Sequence, residues 1–143
     1  MRYPVNQLFV LLSAFLLWTA IGCSSGPSDQ PELGTVKGKV TMNGQPMANV
    51  IVTFQPENNG GKEKGRVSIG KTDEQGNYEL GYNTKSKGAK VGQHTVRIST
   101  VFENPAPDGN DPKDPIPAKF NVKSEIKKEV QSGENSIDIK LEM

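Results

Sequence analysis

Apolar and polar residues alternate with a period of two along most of the chain after residue 33, which is typical of half-buried β-strands. No stretch carries the 3.6-residue period of a helix of about ten residues, although Lys123–Lys128 is compatible with one turn. Lys128–Val130 is predicted as a short edge strand. The pattern therefore predicts an all-β fold, a single antiparallel β-sandwich of about seven strands. The alternating apolar positions are Val36, Val40 and Met42; Val50, Val52 and Phe54; Val67 and Ile69; Tyr78, Leu80 and Tyr82; Val96 and Ile98 within Thr95–Val101; and Ile137, Ile139 and Leu141 within Ser136–Leu141.

Turn residues separate these strands. Asn43-Gly44 is a strong hairpin signal, and Glu57–Lys64 and Asn104–Pro117 are polar or proline-rich loops. In Thr72–Asn77, the Asp73 carboxylate is placed to cap turn amides, while Gly76 suits a positive φ. We interpret this segment as a structural turn, with calcium ligation as the alternative.

The first 23 residues form an export signal by their layout. Arg2 is the only charged residue there, an apolar stretch follows from Leu8 to Ile21, and the small residue Gly22 precedes Cys23. The apolar stretch is short for a membrane-spanning helix, which needs roughly 20 residues. The segment predicts secretion rather than a permanent transmembrane helix.

Ala20-Ile21-Gly22-Cys23 resembles the lipobox of bacterial lipoproteins, with Ala20 where leucine is usual. The resemblance implies that Cys23 is diacylated and becomes the first residue, and two acyl chains hold a protein firmly on a membrane. The alternative is an ordinary secretory signal that leaves Cys23 as a free thiol. By analogy with lipoprotein sorting, Ser24 in place of aspartate favours the outer membrane or cell surface over the inner membrane.

The predicted domain organisation follows from these boundaries. Residues 1–22 are a lipoprotein signal peptide, residues 23–33 are a flexible tether rich in serine, glycine and proline, and residues 34–143 are one β-sandwich domain. A domain of about 110 residues is long enough for a modest hydrophobic core.

Charge and cysteine content exclude several classes of function. The chain has 17 basic and 16 acidic residues, and removal of Arg2 with the signal makes the two numbers equal. A neutral surface exerts no long-range attraction on nucleic acid. Cys23 is the only cysteine, so its acylation leaves no thiol for a disulfide, a thiolate metal site or a nucleophile.

Two runs of residues carry a family resemblance. Gly38–Phe54 reads G-x-V-x-x-x-G-x-P-x-x-x-x-x-V-x-F, and Thr72–Tyr78 reads T-D-x-x-G-x-Y. Together they resemble the carboxypeptidase regulatory-like or transthyretin-like domain. Ile116–Phe120 is similar to an I-P-x-K-Y segment of small bacterial lipoproteins that carry this domain alone. The resemblance implies a transthyretin-like sandwich and says little about activity.

Asp108, Asp111 and Asp114, with Asn110 among them, are the best candidates for a metal site, because calcium takes six to eight oxygen ligands. Their spacing matches no calcium loop, four prolines interrupt the stretch, and Lys113 lies within it. A solvated loop is the preferred interpretation, and no cofactor is predicted.

His94 is the only histidine, and its place near the start of a strand predicts a surface or edge residue. The resemblance includes a hydrolase of 5-hydroxyisourate that uses two histidines, an arginine and a C-terminal Tyr-Arg-Gly-Ser segment. This chain ends in Lys140-Leu141-Glu142-Met143 and has one histidine. No serine lies in a nucleophile-elbow context either, so we expect no enzymatic activity.

Two further alternatives remain open. Tyr78, Tyr82, Phe102 and Phe120 are candidates for a sugar-stacking face, although the alternation of Tyr78 with Leu80 directs it to the core. Related sandwiches form isopeptide bonds, for which Lys37 or Lys39 and Asp138 are the candidates here.

The sequence thus predicts a lipid-anchored, exported protein that acts as a non-catalytic binding or structural module of the cell envelope. The sandwich edges and the long Asn104–Pro117 loop are the expected contact surfaces, with an envelope protein or a polysaccharide as partner. The alternative is a carbohydrate-binding accessory module.

Overall fold

A computed structural model describes residues 30–57, 65–100 and 114–143. Pro31–Met143 forms one compact unit. Its first strand begins at Leu33, just before the expected domain boundary, and the Glu32 carbonyl accepts a hydrogen bond from Val91 N (3.0 Å). The strands are β1 (Leu33–Met42), β2 (Gln45–Pro46), β3 (Val50–Pro56), β4 (Ser68–Lys71), β5 (Asn77–Glu79), β6 (Ala89–Lys90), β7 (Gly92–Thr100), β8 (Ile126–Val130), β9 (Gly133–Ser136) and β10 (Ile139–Leu141).

These strands form two sheets, which we name the β1 sheet and the β3 sheet. In the β1 sheet, the long strand β1 lies between β10 and β2 and also pairs with β5, β6 and β9. The β3 sheet has the order β4-β3-β7-β8. The two sheets do not close into a barrel, so the predicted all-β sandwich is confirmed.

The direction of the last strands departs from the antiparallel expectation. β9 and β10 pair with β1 in parallel, with Gly34 opposite Gly133 and Val40 opposite Ile139. A parallel neighbour needs a crossover connection, and the intervening β3 sheet provides it. The strand that the sequence predicts over Ser136–Leu141 corresponds to β10, whereas β9 lies almost entirely before it and was not predicted.

The core lies between the inner faces of the two sheets. Burying a side chain of the size of valine or leucine contributes roughly 1.5–3 kcal/mol, so these residues supply most of the driving force for folding. The predicted apolar alternation of β1, β3 and β7 is confirmed. The fully or almost fully buried side chains include Val36, Val40, Val50, Val52, Phe54, Tyr78, Leu80, Val96, Ile98, Ile139 and Leu141.

β4 faces the opposite way from the apolar pattern of Val67 and Ile69. Ser68 is buried, whereas Ile69 is 47% exposed. The reason lies at Gly70, where a Cβ would come within 2.6 Å of the Glu79 carbonyl oxygen. No side chain larger than that of glycine fits at position 70, because the end of β5 passes directly against it.

Gly38 in the middle of β1 lets the backbone at Ile137 pass close over the face of β1. We name this contact the crossing at Gly38. A Cβ on Gly38 would clash with the carbonyl oxygen of Ile137, which lies over this position, and would come 3.1 Å from the Tyr78 ring. The Tyr78 hydroxyl reaches across Gly38 and donates to that carbonyl (2.6 Å). Burial, together with the nearby Asp138 carboxylate, raises the pKa of Tyr78 above its ordinary value of 10. The crossing ties β5, β1 and the C-terminal strand together.

The predicted hairpin turn at Asn43-Gly44 is confirmed. Asn43 has φ 48° and Gly44 has φ 82°, so both central residues are left-handed, as a type I′ turn requires. The turn brings β2 back against β1, with Met42 opposite Gln45.

The region before β8 differs from the expectation of one helical turn in Lys123–Lys128. A short 3-10 helix lies earlier, at Ala118–Phe120, and Ile126 already begins β8. The Ser124 hydroxyl donates to Val96 O and so directs the chain into pairing with β7. The predicted edge strand Lys128–Val130 is confirmed as the second part of β8.

Candidate functional site

An open groove of about 420 Å³ runs along the outer side of β4. Its opposite wall is the chain from Glu79 to Lys87. Ile69 and Gly81 exchange two backbone hydrogen bonds of 2.8 and 3.0 Å and fix the distance between the walls. The lining includes Ile69, Gly70, Lys71, Leu80, Thr84 and Lys85.

A tight turn forms one rim of this groove. The Asn83 side-chain oxygen accepts hydrogen bonds from Lys85 N (2.8 Å) and Ser86 N (2.7 Å). Tyr82 N donates to Ser86 O (2.9 Å). An asparagine that bonds amides two and three residues ahead is a common turn former, so the rim is held by its own sequence.

The charges around the groove are mainly positive. Glu79 contacts Lys87 Nζ and lies 3.6 Å from Lys37 Nζ, and the hydrogen bond from Lys87 is the main reason that the pKa of Glu79 is lowered. Within the described ranges, Lys71 and Lys85 form no ion pair. With Ile69 exposed beside them, the groove suits an anionic ligand that also offers apolar surface.

His94 is buried, with 1% exposure, so the predicted surface position is wrong. It lies on β7 between β3 and β8, and its ring packs on Phe54 at 5.7 Å. Its Nδ1 lies 3.0 Å from Gly92 O and donates to it in the neutral ring. Burial lowers the pKa of His94 below 6.5. His94 continues the inward alternation of Val96 and Ile98, and that signal in the sequence would have located it.

Asp114, one of the three metal candidates, has its carboxylate engaged in hydrogen bonds within the fold. Its carboxylate accepts hydrogen bonds from Thr100 N (3.0 Å), Ile116 N (2.9 Å) and Asn121 Nδ2 (2.9 Å). Asp108 and Asp111 lie outside the described residues. In the part of the chain that the structure describes, no group of three histidine, cysteine or acidic side chains is arranged to hold a metal ion.

Asp73 performs the capping role that the sequence predicts. Its Oδ1 accepts from Gln75 N (2.9 Å) and Asn77 N (2.8 Å), and its Oδ2 accepts from Asn77 Nδ2 (3.1 Å). The bonds from Asn77 are the main reason that the pKa of Asp73 is lowered. Gly76 has φ 79°, as expected. This turn is a structural feature between β4 and β5.

The aromatic candidates that the structure describes do not form one exposed face. Tyr78 and Phe120 are buried, at 4% and 9% exposure, and Phe102 lies outside the described residues. Tyr82 is partly exposed, with Arg66 Cζ 5.9 Å from its ring centroid. Its chain neighbours Gly81 and Asn83 line the groove, but Tyr82 itself does not.

The isopeptide candidates on β1 and next to β10 do not pair through their side chains. Asp138 accepts a hydrogen bond from the backbone N–H of Lys39 (2.9 Å). Lys37 directs its ammonium group to Glu79 instead, with 64% of its side chain exposed. The isopeptide hypothesis thus has no paired lysine and aspartate side chains to support it. Cys23 lies outside the described residues.

The fold places the chain among all-β sandwich proteins. No family model, no curated protein and no solved structure matches it. The likeness to carboxypeptidase regulatory-like and transthyretin-like domains therefore stays a prediction from the two sequence motifs. Among the described residues, no helix has the length and apolar character needed to cross a membrane.

Proposed function

We propose that this chain is a lipid-anchored protein of the bacterial cell envelope whose β-sandwich is a non-catalytic binding module. The observation that carries the proposal is the groove beside β4, where Ile69 is 47% exposed and two lysines have no acidic partner in the described ranges. His94, Asp73 and Asp114, by contrast, have their polar atoms engaged within the fold.

The anchor is supported by the sequence of Met1–Cys23. A short apolar stretch that ends in Ala20-Ile21-Gly22-Cys23 is the pattern that precedes lipid attachment to cysteine. Acylation of Cys23 would hold the domain on a membrane through residues 24–32. Growth with a labelled fatty acid tests this directly, because Cys23→Ala should abolish incorporation of the label while Ser24→Ala should not.

The chemistry of the groove points to an elongated anionic partner. Lys71, Lys85 and Lys87 lie along it, and Glu79 is the acidic residue in its lining. Complementary charge increases the rate and the specificity of association more than the final affinity. An acidic segment of an envelope protein fits this lining, with the exposed Ile69 as an apolar contact.

A carbohydrate partner is the second candidate, and Tyr82 is the observation that favours it. Its ring is partly exposed, its chain neighbours Gly81 and Asn83 line the groove, and aromatic rings with one polar end are common at binding surfaces. An acidic polysaccharide would combine stacking on Tyr82 with attraction to Lys71 and Lys85.

Site-specific photo-crosslinking in intact cells tests the proposal. A photoreactive amino acid replaces Thr84 on the groove rim in the full chain, and the matched control replaces Glu129, which is exposed on β8. We expect a recurrent product from position 84 and none from position 129. A protein product supports the first candidate, and a glycan product that is lost with Tyr82→Ala supports the second. Equal products at both positions, or none at either, would contradict binding at the groove.

A further inference from the structure

The outer side of Gly133–Leu141, which we name the C-terminal edge, is a sheet edge of the sandwich. β9 and β10 keep one register against β1 on both sides of the interruption at Ile137. β9 and β10 therefore border the β1 sheet in one register. Between them the chain departs from the ladder, because the Ile137 carbonyl lies over Gly38 and the Asp138 carboxylate accepts from Lys39 N. Within the described residues, neither strand pairs with anything except β1.

The backbone groups of this edge alternate between β1 and the outside. Ile137 N donates to Lys37 O (2.8 Å), so the odd-numbered residues face β1. Successive residues of a strand direct these groups to opposite sides. Exposed residues on both sides of Ile137 therefore present backbone N–H and C=O groups outward, and among the described strands β9 and β10 pair only with β1. They are Glu134, Ser136 and Lys140.

The two outer edges of the β3 sheet are blocked. On β8, Lys128 occupies an inward position opposite His94, and an inward charge is a known obstacle to edge pairing. The adjacent Lys127 is engaged by Glu57 and Thr95. On β4, Gly81 already uses both backbone groups of Ile69. On the C-terminal edge the charged side chains of Glu134 and Lys140 are exposed rather than directed inward.

We propose that the C-terminal edge binds a second copy of this chain by antiparallel strand pairing about a two-fold axis at Ile137. A two-fold interface requires a self-complementary surface. Antiparallel pairing about this axis places Glu134 opposite Lys140 of the second copy, and does so twice. It also places Ser136 opposite Asp138. Opposite charges that face each other across two strands stabilise the pair.

The charge pattern selects this register over its neighbours. A shift of the second copy by two residues in one direction puts Glu134 opposite Asp138. The same shift in the other direction puts Asp138 of one chain opposite Asp138 of the other. Like charges directly opposite each other are destabilising. A shift by one residue places the outward backbone groups of one copy opposite residues of the other copy whose groups face β1. The proposal goes beyond the function proposed above, since it requires neither the groove nor the lipid anchor.

Co-purification of two differently tagged full-length chains from the same cells tests the pairing. Wild-type chains should co-purify. Glu134→Lys in both chains, or Lys140→Glu in both chains, makes the facing pairs alike and should reduce co-purification roughly tenfold. One chain with Glu134→Lys and the other with Lys140→Glu restores two opposite pairs and should recover the wild-type amount.

Glu129→Lys on β8 is the matched control, because it makes the same change of charge on the blocked edge and should have no effect. Thermal melting of each variant shows whether it folds. Co-purification that no variant changes would overturn the proposal, since shared detergent micelles would explain it. Loss with Lys140→Glu but not with Glu134→Lys would also overturn it, because that result requires a different register. Absence of co-purification by the wild-type chains would contradict pairing altogether.

Discussion

The two sheets reach the same core by different means. The β3 sheet relies on plain apolar alternation, in which Val52, Phe54, Val96 and Ile98 fill the interior. The β1 sheet relies on the crossing at Gly38, where a hydroxyl and a carbonyl oxygen meet above a residue without a side chain. The stability of the β3 sheet should therefore depend on the volume of its buried side chains. That of the β1 sheet should depend on the space at Gly38 and on the hydrogen bond from Tyr78.

Removal of volume from the β3 sheet should have the largest effect. Phe54 is fully buried and packs on Tyr78 and His94, with ring centroids 6.4 and 5.7 Å away. We expect Phe54→Ala to lower the free energy of unfolding by about 3–5 kcal/mol because it leaves a cavity. Denaturant titration followed by circular dichroism measures this, and a loss below about 1 kcal/mol would mean that the site collapses or is not packed as described.

Addition of volume to the β1 sheet should have the next largest effect. Gly38→Ala introduces a methyl group where the Ile137 carbonyl lies, so we expect a loss of about 2–3 kcal/mol. Gly81→Ala is the matched control, because its nearest neighbour is Ile69 O at 3.7 Å, an ordinary contact. Similar unfolding midpoints for the two variants would show that the crossing at Gly38 is not close-packed.

Removal of the Tyr78 hydroxyl group alone measures the contribution of its hydrogen bond to the Ile137 carbonyl. Tyr78→Phe keeps the ring but leaves the Ile137 carbonyl without this donor, and we expect a loss of about 1–2 kcal/mol. Tyr82→Phe, on the partly exposed ring beside the groove, should change the unfolding free energy by less than about 0.5 kcal/mol. If the two variants unfolded at the same denaturant concentration, the hydroxyl would contribute nothing.

Protonation of His94 should give the smallest and most specific effect. Its pKa is lowered by burial, so the unfolded chain takes up the proton first as the pH falls below about 6.5. Stability should therefore be full above that pH and should decrease below it until the folded protein is also protonated. The slope cannot exceed about 1.4 kcal/mol per pH unit for one proton.

The carboxylates with lowered pKa titrate in a separate range. Glu57, Asp73 and Glu79 contribute stability above their ordinary values of 4.5, 3.8 and 4.5, and this is lost only as the pH falls through their lower folded values. The window between about pH 5 and 6.5 thus reports on His94. His94→Leu should remove the slope there, and a slope that persists in this variant would assign it to another group.

The sequence predicts those parts of the fold that depend on local pattern. Alternation places β1, β3 and β7 and their buried faces, and Asn43-Gly44 and Asp73 define their turns through short-range hydrogen bonds and backbone conformation. Ile69 faces outward against its apolar pattern because the inward neighbour Gly70 must accommodate the Glu79 carbonyl at the end of β5. The parallel pairing of β10 with β1 leaves no mark on composition or period, so the sequence alone suggested the antiparallel arrangement.

The candidate site was harder to predict than the fold. The groove forms where β4 and the segment Glu79–Lys87 meet through the backbone hydrogen bonds of Gly81. The local sequence of neither segment predicts these bonds. The sequence indicates His94 and Asp114 as candidates by their chemical type. In the structure His94 packs in the core and Asp114 accepts hydrogen bonds within the fold. Chemical type is thus a weak guide to function when the fold has structural uses for the same groups.

The most direct test of the proposed binding function is photo-crosslinking from Thr84 in a chain that also carries Lys71→Glu and Lys85→Glu. These exposed lysines hold no ion pair in the described ranges, so their reversal should leave the melting temperature within a few degrees of wild type. The account predicts that the product seen with the parent chain disappears. An undiminished product in the folded double variant would contradict recognition of an anionic partner at the groove.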